Sequence, residues 1–495
     1  MTATTLMPLL VMLSSLVPAL LIFLLREDQH RLRTILNLGG ALLKVGVVGI
    51  MLWGVFHEKV YALKIPFLPG LPLAFEADAL SMFFITLSAV LWLATTIYAI
   101  GYLEGEPHRS RFFGFFSLCV SATVGIALAD DLVTFLVFYE LLTLATYPLV
   151  AHRGTDASLD AAGRYLIYTL TGGGVLLVAT AWLYTVTGEV AFREQGFLSA
   201  VAEDQYGILR VIFALFVIGF GVKAALVPLH GWLPRAMVAP APVSALLHAV
   251  AVVKAGVFGI VRLVADVYGI EFSARLGLLG PLAVAACVTI IYGSVCALAQ
   301  DDLKRRLAFS TVSQVSYVTL GIAIGSPVAA LGGIVHLVHQ GVMKITLFFC
   351  AGNLAETEHI YKISDMAGVG RRMPWTMAAF TVAAFGMIGV PPVAGFISKW
   401  HLASGAVEAG SPWLIAVLLA SSVLNAAYFL PILHTAWFGD AGPAKGRDRV
   451  ADAGPMLLVP ALVTASLSLA FGLLAGAAGS PLDWASLIVL REFGL

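Results

Sequence analysis

Charged residues are scarce in this chain. Asp, Glu, Lys and Arg make up 12% of its 495 residues, well below the roughly 25% of an average soluble domain. With 60% of residues hydrophobic and a mean hydropathy of +0.93, too few polar groups exist to cover a water-facing surface. A soluble enzyme and a disordered scaffold are excluded. Neither sign of charge is in excess, at 29 Lys+Arg against 29 Asp+Glu, so there is no basic field for nucleic acid. Cysteine is nearly absent. Cys119, Cys287, Cys296 and Cys350 sit in apolar stretches without a C-x-x-C pair, which implies neither a disulfide framework nor a thiolate-held metal. Long polar segments are missing too: the longest loops, 188–207 and 353–373, are too short for a separate domain.

Apolar runs are what the chain has in quantity. A bilayer core about 30 Å thick is crossed by roughly 20 apolar residues of helix. Runs of that order lie near 6–25, 34–56, 79–101, 112–129, 132–151, 164–187 and 208–229. More follow near 241–265, 276–299, 307–325, 329–352, 374–402, 413–438 and 455–478. These fourteen predict an all-α polytopic membrane protein, a single membrane domain over 1–495. The first run lacks a basic segment before it and is followed by Arg26, so it is expected to be a retained helix, not a cleaved signal.

Loops after odd-numbered runs hold seventeen of the basic residues, including Arg109, Arg111, Arg235, Lys304, Arg305 and Arg306, and finally Lys445, Arg447 and Arg449. Loops on the other side hold seven, Lys59, Lys64, Arg193, Arg210, Arg262, Arg275 and Arg491. The positive-inside rule then puts odd loops in the cytoplasm and both termini on the non-cytoplasmic side of a cell membrane.

Five basic residues are left over, all inside apolar runs and all lysine: Lys44, Lys223, Lys254, Lys344 and Lys399. Among the acids only Glu140, in LVFYELLTLATYPLV, falls well inside a run. A charge at the bilayer centre costs about 2.5–3.5 kcal/mol on insertion scales, so six such residues need a purpose. Arginine keeps its proton under nearly all conditions, whereas a desolvated lysine can release it. Lysine without arginine reads as a proton path. Two bland readings stand beside it: Lys44 could snorkel or meet a neighbouring subunit, and Glu140 with a lysine could be a structural ion pair.

Prolines interrupt two of the lysine-bearing runs. After Lys223 come Pro228, Pro234, Pro240 and Pro242; before Lys399 come Pro391 and Pro392. Irregular backbone at membrane depth is tolerated where it is buried or lines a wet cavity. Two interrupted helices in corresponding positions of two halves point to an inverted-repeat transporter, with one half over 112–265 and the other over 276–438. His248 precedes Lys254 by six residues, about 120° around a helix, and so borders the lysine face without sharing it. His336 and His339 are about 60° apart on one helix, and Lys344 is about 80° round from His336. Imidazoles suit proton relay near neutral pH. Two histidines three apart could also ligate a metal or haem, but no further His or Cys clusters with them, and neither metal nor cofactor is expected. His230, beside Pro228, is a candidate either for relay or for capping a helix break.

These segments together resemble a known family. DDLVTFLVFYELLTLATYPLV around Glu140, PLHGWLP after Lys223, APVSALLHAVAVVKAGVFGIVR through Lys254, DLKRRLAFSTVSQVSY from Asp302, HLVHQGVMKITLFF through Lys344 and PPVAGFISKW through Lys399 are similar to the antiporter-like, proton-conducting subunits. Those subunits are shared by Mrp-type cation/proton antiporters, respiratory complex I and membrane-bound hydrogenases. The resemblance implies fourteen helices with two inverted five-helix repeats and two broken helices. It implies that Glu140 pairs with Lys223, that protons pass from Lys254 through His248, His336 and Lys344, and that Lys399 holds the terminal position; His339 is a further relay candidate from its place on the same helix. Two departures stand out. Family members often place histidines four apart before the lysine of the eleventh helix, whereas here Gln340 is four after His336 and the second histidine is His339. One complex I type has glutamate at the terminal position, where this chain has Lys399, which is more like the D-type Mrp subunit.

The expected function is a proton-translocating subunit of a multisubunit membrane complex, foremost an Mrp-type Na+/proton antiporter, with other membrane subunits, the lipid bilayer, protons and Na+ as partners. The alternative is the same module in a complex I-like NADH-quinone oxidoreductase or membrane-bound hydrogenase. No redox centre is visible in the sequence, so electron chemistry would belong to partners. A stand-alone solute transporter is disfavoured by the row of lysines and an expected shortage of intramembrane Asn and Gln.

Overall fold

The computed structural model describes residues 3–68, 71–440 and 452–495; Lys445, Arg447 and Arg449 lie outside the described residues. The chain begins with α1 (Ala3–Phe23) and α2 (His30–Phe56), then the hairpin β1 (Ala62–Leu68) and β2 (Leu71–Glu76). Next come α3 (Ala79–Tyr102), α4 (Arg109–Leu128), α5 (Leu132–Val150), α6 (Asp156–Thr187) and α7 (Tyr206–Lys223). A tightly packed middle section holds α8 (Ala241–Ala245), α9 (Val252–Arg262) and α10 (Ile270–Arg275), with π-helical turns at Leu246–Val250 and Leu263–Tyr268. The second half holds α11 (Leu279–Leu298), α12 (Leu303–Ala323), α13 (Pro327–Glu358), α14 (Val369–Arg372), α15 (Pro374–Ile388) and α16 (Ala394–Glu408). It ends with α17 (Trp413–Phe438), α18 (Pro455–Leu473) and α19 (Pro481–Phe493).

This is an all-α polytopic membrane protein. Twelve helices among the described residues are long and apolar enough to cross a bilayer, α8 and α9 counting as one, and α15 is a shorter apolar helix. Two of the expected runs fall outside that twelve for different reasons. α12 has the length, but carries buried polar side chains at Ser310, Ser313, Gln314, Ser316, Tyr317 and Thr319. The run at 374–402 is split into α15 and α16. The hairpin was not expected; its strands pair antiparallel, Ala62 opposite Glu76 and Ile65 opposite Leu73.

Helix starts follow local chemistry. Asp78 caps α3 in a reciprocal box with Ser81, while Asp131, Thr155, Asp302 and Ser326 accept from the first-turn amides of α5, α6, α12 and α13. The odd-numbered loops gather at one end of the bundle: Glu27 accepts from the amides of Arg109 and Ser110, and Arg111 donates to the His152 carbonyl. Arg153, Arg235, Lys304 and Tyr361 line one cavity there, of about 500 Å³. At the centre, the apolar stretches of Ala241–Tyr268 and of α13 are wholly buried by other helices. These two enclosed helices carry His248, Lys254, His336, His339 and Lys344, so the fold puts most candidate residues where lipid cannot reach.

Candidate functional site

α7 ends at Lys223, and the chain then leaves the helix through Ala225 in a left-handed conformation (φ 56°) and two 3₁₀ turns, Leu229–Trp232 and Arg235–Val238. Lys223 is fully buried. Its ammonium donates to the Tyr139 carbonyl and sits over the Tyr139 ring, 3.4 Å from the centroid. Glu140, next in the chain, is close enough to Lys223 to interact electrostatically but forms no ion pair with it. Both Glu140 carboxylate oxygens are buried without a hydrogen-bond partner. They press on Gly173 of α6 so closely that a Cβ there would overlap Oε1. The two residues are therefore neighbours, separated by the preference of the ammonium for a carbonyl and a ring face.

The other lysines repeat this choice of neutral acceptors. Lys254 donates to the Leu337 carbonyl at 2.8 Å and to the Gln340 side-chain oxygen. Lys344 donates to the Leu307 carbonyl at 3.1 Å and to Ser310 Oγ at 2.7 Å. Lys399 donates to the Met387 and Ile388 carbonyls at 3.0 and 2.8 Å and to Ser422 Oγ at 3.1 Å. Those carbonyls end α15, where the helix dipole favours a cation. Gly389 makes that approach possible: it takes φ +95°, and a Cβ on it would meet Lys399 Cδ at 2.8 Å. A carbonyl or hydroxyl steadies an ammonium without the full Coulomb energy of a carboxylate, so neither protonation state is locked in.

His336 shares a hydrogen bond of 2.7 Å with Ser398 Oγ of α16. Tyr317 of α12 lies between it and the second break, 5.2 Å from the His336 ring and 5.4 Å from Lys399 Nζ. His248 is fully buried in the π-helical turn, its ring 4.5 Å from Phe348, with neither nitrogen hydrogen-bonded. π-helical turns recur at functional positions in helices. His339 faces Phe471 of α18, with ring centroids 6.3 Å apart. His230 lies against Tyr292 and makes no side-chain capping bond. Lys44 neither snorkels nor faces outward: it is fully buried among α1–α3, donating to Ser15 Oγ at 2.7 Å, with its Nζ 4.9 Å from the Trp92 ring centroid. Among the described residues no group of three or more His, Cys, Asp or Glu is arranged to hold a metal.

Two expectations from composition need correction. Arginine is present inside a crossing helix, because Arg262 is 3% exposed and bonded to Asp78, Asp266 and Ser81. Its compensation by two carboxylates explains why it is tolerated. Buried amides are not scarce either: Asn37, Gln314, Gln340, Asn353 and Asn425 are all enclosed. Sequence reasoning also missed Tyr139, Ser310, Tyr317, Ser398 and Tyr428; the first four lie inside the segments that carry the resemblance, but as residues of common type they were not singled out there. Gln340 did carry a signal, as the departure from the histidine spacing.

Residues 129–425 match the family described as NADH:quinone oxidoreductase/Mrp antiporter, TM, and residues 70–113 match NADH-Ubiquinone oxidoreductase (complex I), chain 5 N-terminus. The chain is 38% identical over 367 residues to the N-type subunit of the NADH-quinone oxidoreductase of Desulforudis audaxviator, covering 73% of this chain and 72% of that one. It is 27% identical to the D-type subunit of the Na(+)/H(+) antiporter of Bacillus subtilis, over 94% of this chain and 93% of the other. Its fold is similar to a chain in the structure of the Mrp complex from Dietzia sp. DQ12-45-1b, with a TM-score of 0.88, 23% identity and coverage of 100% and 98%. The match to more than half its length and the identity to the oxidoreductase relative agree: the chain belongs to the NADH:quinone oxidoreductase/Mrp antiporter transmembrane family.

Proposed function

We propose that this chain is a proton-translocating, antiporter-like subunit of a multisubunit membrane complex, foremost an Mrp-type Na+/proton antiporter. One observation carries the reading: four buried lysines on α7, α9, α13 and α16 each rest on neutral acceptors. Such ammonium groups can give up and regain a proton without breaking a buried ion pair. Glu140 is the switch. Its movement towards Lys223 favours the charged lysine, and its return to Gly173 lets the proton pass towards Lys254. His248, His336 and Lys344 continue the path, with Lys399 at the exit and His339 as a further relay candidate on α13. Fourteen crossings, with inverted repeats over 112–265 and 276–438, are the architecture that accommodates two breaks with a lysine at each. The clustering of odd loops on one face supports a cell-membrane orientation with that face in the cytoplasm and both termini outside.

A second reading has its own support. The identity to the Desulforudis audaxviator relative favours a proton-pumping arm of an NADH-quinone oxidoreductase or hydrogenase, whereas the near-complete coverage of the Bacillus subtilis relative favours the antiporter. Purification of the assembled complex with its subunits identified separates them. Small hydrophobic subunits are expected; Fe–S or NiFe proteins would move the assignment to the oxidoreductase. Both readings fall if Lys223→Ala in the assembled complex leaves proton transport in vesicles unchanged.

A further inference from the structure

Lys344 and Lys399 do not touch, yet an unbroken set of buried hydrogen bonds joins them. Lys344 Nζ donates to Ser310 Oγ at 2.7 Å, and Ser310 Oγ lies 2.9 Å from the Tyr428 hydroxyl. That hydroxyl is 2.6 Å from Asn425 Oδ1, and Asn425 Nδ2 donates to the Met387 carbonyl at 3.1 Å. The Met387 carbonyl also accepts from Lys399 Nζ at 3.0 Å. Ser310, Tyr428 and Asn425 are fully buried, and they come from α12 and α17, elements outside the row of lysines. Arg306 holds this turn of α17 by donating to the Tyr428 carbonyl at 3.0 Å.

We propose that Tyr428 is a positioning residue, the pivot of a hydroxyl–amide chain that reports the protonation of Lys344 to the helix break holding Lys399. The inference rests on the proton-relay reading above and adds to it a link between two of its sites.

The donor inventory sets the direction of every bond. A charged ammonium only donates, and an amide oxygen only accepts. The Tyr428 hydroxyl is placed to donate either to Ser310 Oγ or to Asn425 Oδ1, and while Lys344 is charged and donates to Ser310, the one Tyr428 proton goes to Asn425. When Lys344 loses its proton, its nitrogen acquires a lone pair, and within this chain Ser310 is the hydroxyl placed to fill it. Ser310 then turns to Lys344, Tyr428 turns to Ser310, and Asn425 Oδ1 is left without its donor. An orphaned buried acceptor is costly, so Asn425 reorients and releases the Met387 carbonyl. That carbonyl becomes wholly available to Lys399. Proton loss at Lys344 therefore favours proton gain at Lys399, the order a forward transfer needs. No atom of the chain carries the proton itself; the chain only reverses its hydrogen-bond polarity. The other charged or titratable groups acting on Lys344 and its surroundings include Lys254 from α9 and His248 from the π-helical turn; Arg306 and Tyr317 of α12 act on Tyr428, and Tyr317 and His336 face Lys399.

The test uses the whole complex in membrane vesicles, with ion-coupled proton transport recorded against pH. Tyr428→Phe keeps the ring and removes the hydroxyl. It is expected to lower the maximal rate about tenfold and to move the pH midpoint by about one unit, the consequence of removing one hydrogen bond next to a charged group. Ser310→Ala breaks the same chain at its other end and is expected to shift the midpoint in the same direction. A wild-type rate and pH profile in either variant overturns the proposal. Lys223→Ala and Lys344→Ala run alongside. If they abolish transport while Tyr428→Phe behaves as wild type, the link is wrong and the relay stands; if Lys223→Ala transports normally, the relay reading itself has failed.

Discussion

Glu140 is held by a glycine. Its carboxylate lies against Gly173 with no donor, while Lys223 points to the Tyr139 carbonyl and ring. Gly173→Ala puts a methyl group where Oε1 now sits. We expect it to displace the carboxylate and to slow proton transport at least tenfold, while the complex assembles normally; vesicle transport with a Glu140→Ala control checks this, and a wild-type rate would show that Glu140 does not work from this position. Lys254→Arg should be nearly as damaging as Lys254→Ala, because a guanidinium cannot deprotonate at physiological pH. Normal pumping by the arginine variant would make Lys254 a fixed charge. Away from the bilayer, burial pushes the Asp130 carboxyl up to about 6, with the nearby Glu76 adding to the effect. A raised carboxyl means the folded chain binds the proton more tightly than the unfolded one. Its ionisation costs stability as pH rises from the ordinary Asp range through about 6, and the cost stays in full above that. Asp130→Asn should therefore raise the melting temperature at pH 7 and leave it unchanged near pH 3; equal melting at pH 7 would contradict the assignment.

Helix breaks are the elements that distinguish this bundle from a set of plain membrane helices. At the second break Gly389 supplies a positive φ and the room for Lys399 to reach the last carbonyls of α15. Gly389→Ala loses both. A non-glycine residue in the left-handed region costs about 1–2 kcal/mol, and the methyl would also crowd the lysine stem. We expect a lower melting temperature and impaired transport; an unchanged melting curve would mean the break adapts freely. Lys399→Leu should abolish transport with assembly intact, since an apolar side chain in place of a buried ion costs little, whereas Lys399→Glu keeps a titratable group and part of the function. Wild-type transport by the leucine variant would move the exit away from α16. The breaks were legible in the sequence because proline cannot donate to a helix. The hairpin was not, since LKIPFLPGLPLAFE reads equally well as a loop until its strands meet.

At the scale of the whole molecule, the enclosed pair formed by Ala241–Tyr268 and α13 explains how so many polar groups persist in a chain this apolar. At one end of the bundle Arg262 ties α9 to Asp78 before α3 and to Asp266. Removing one partner of a buried pair strands the other, at about 3–5 kcal/mol. Arg262→Gln should thus lower the melting temperature of the purified complex more than any of the lysine substitutions, and a smaller loss would show that Asp78 and Asp266 find other partners.

Membrane class, the places of the lysines, the two breaks and the family were all determined by sequence alone. Each is a local anomaly, a charge or a proline inside an apolar run, and its cost can be judged without knowing what lies beside it. Tertiary structure decided the partners. Lys223 meets a carbonyl 84 positions away, Lys254 one 83 positions away, and Tyr428 a hydroxyl 118 positions away. Arg262, counted among loop charges from its sequence, proved to be buried because two carboxylates converge on it. Which acceptor a buried donor finds depends on the packing of helices distant in the chain, and hydroxyls, amides and main-chain carbonyls are too common along a sequence to announce that role.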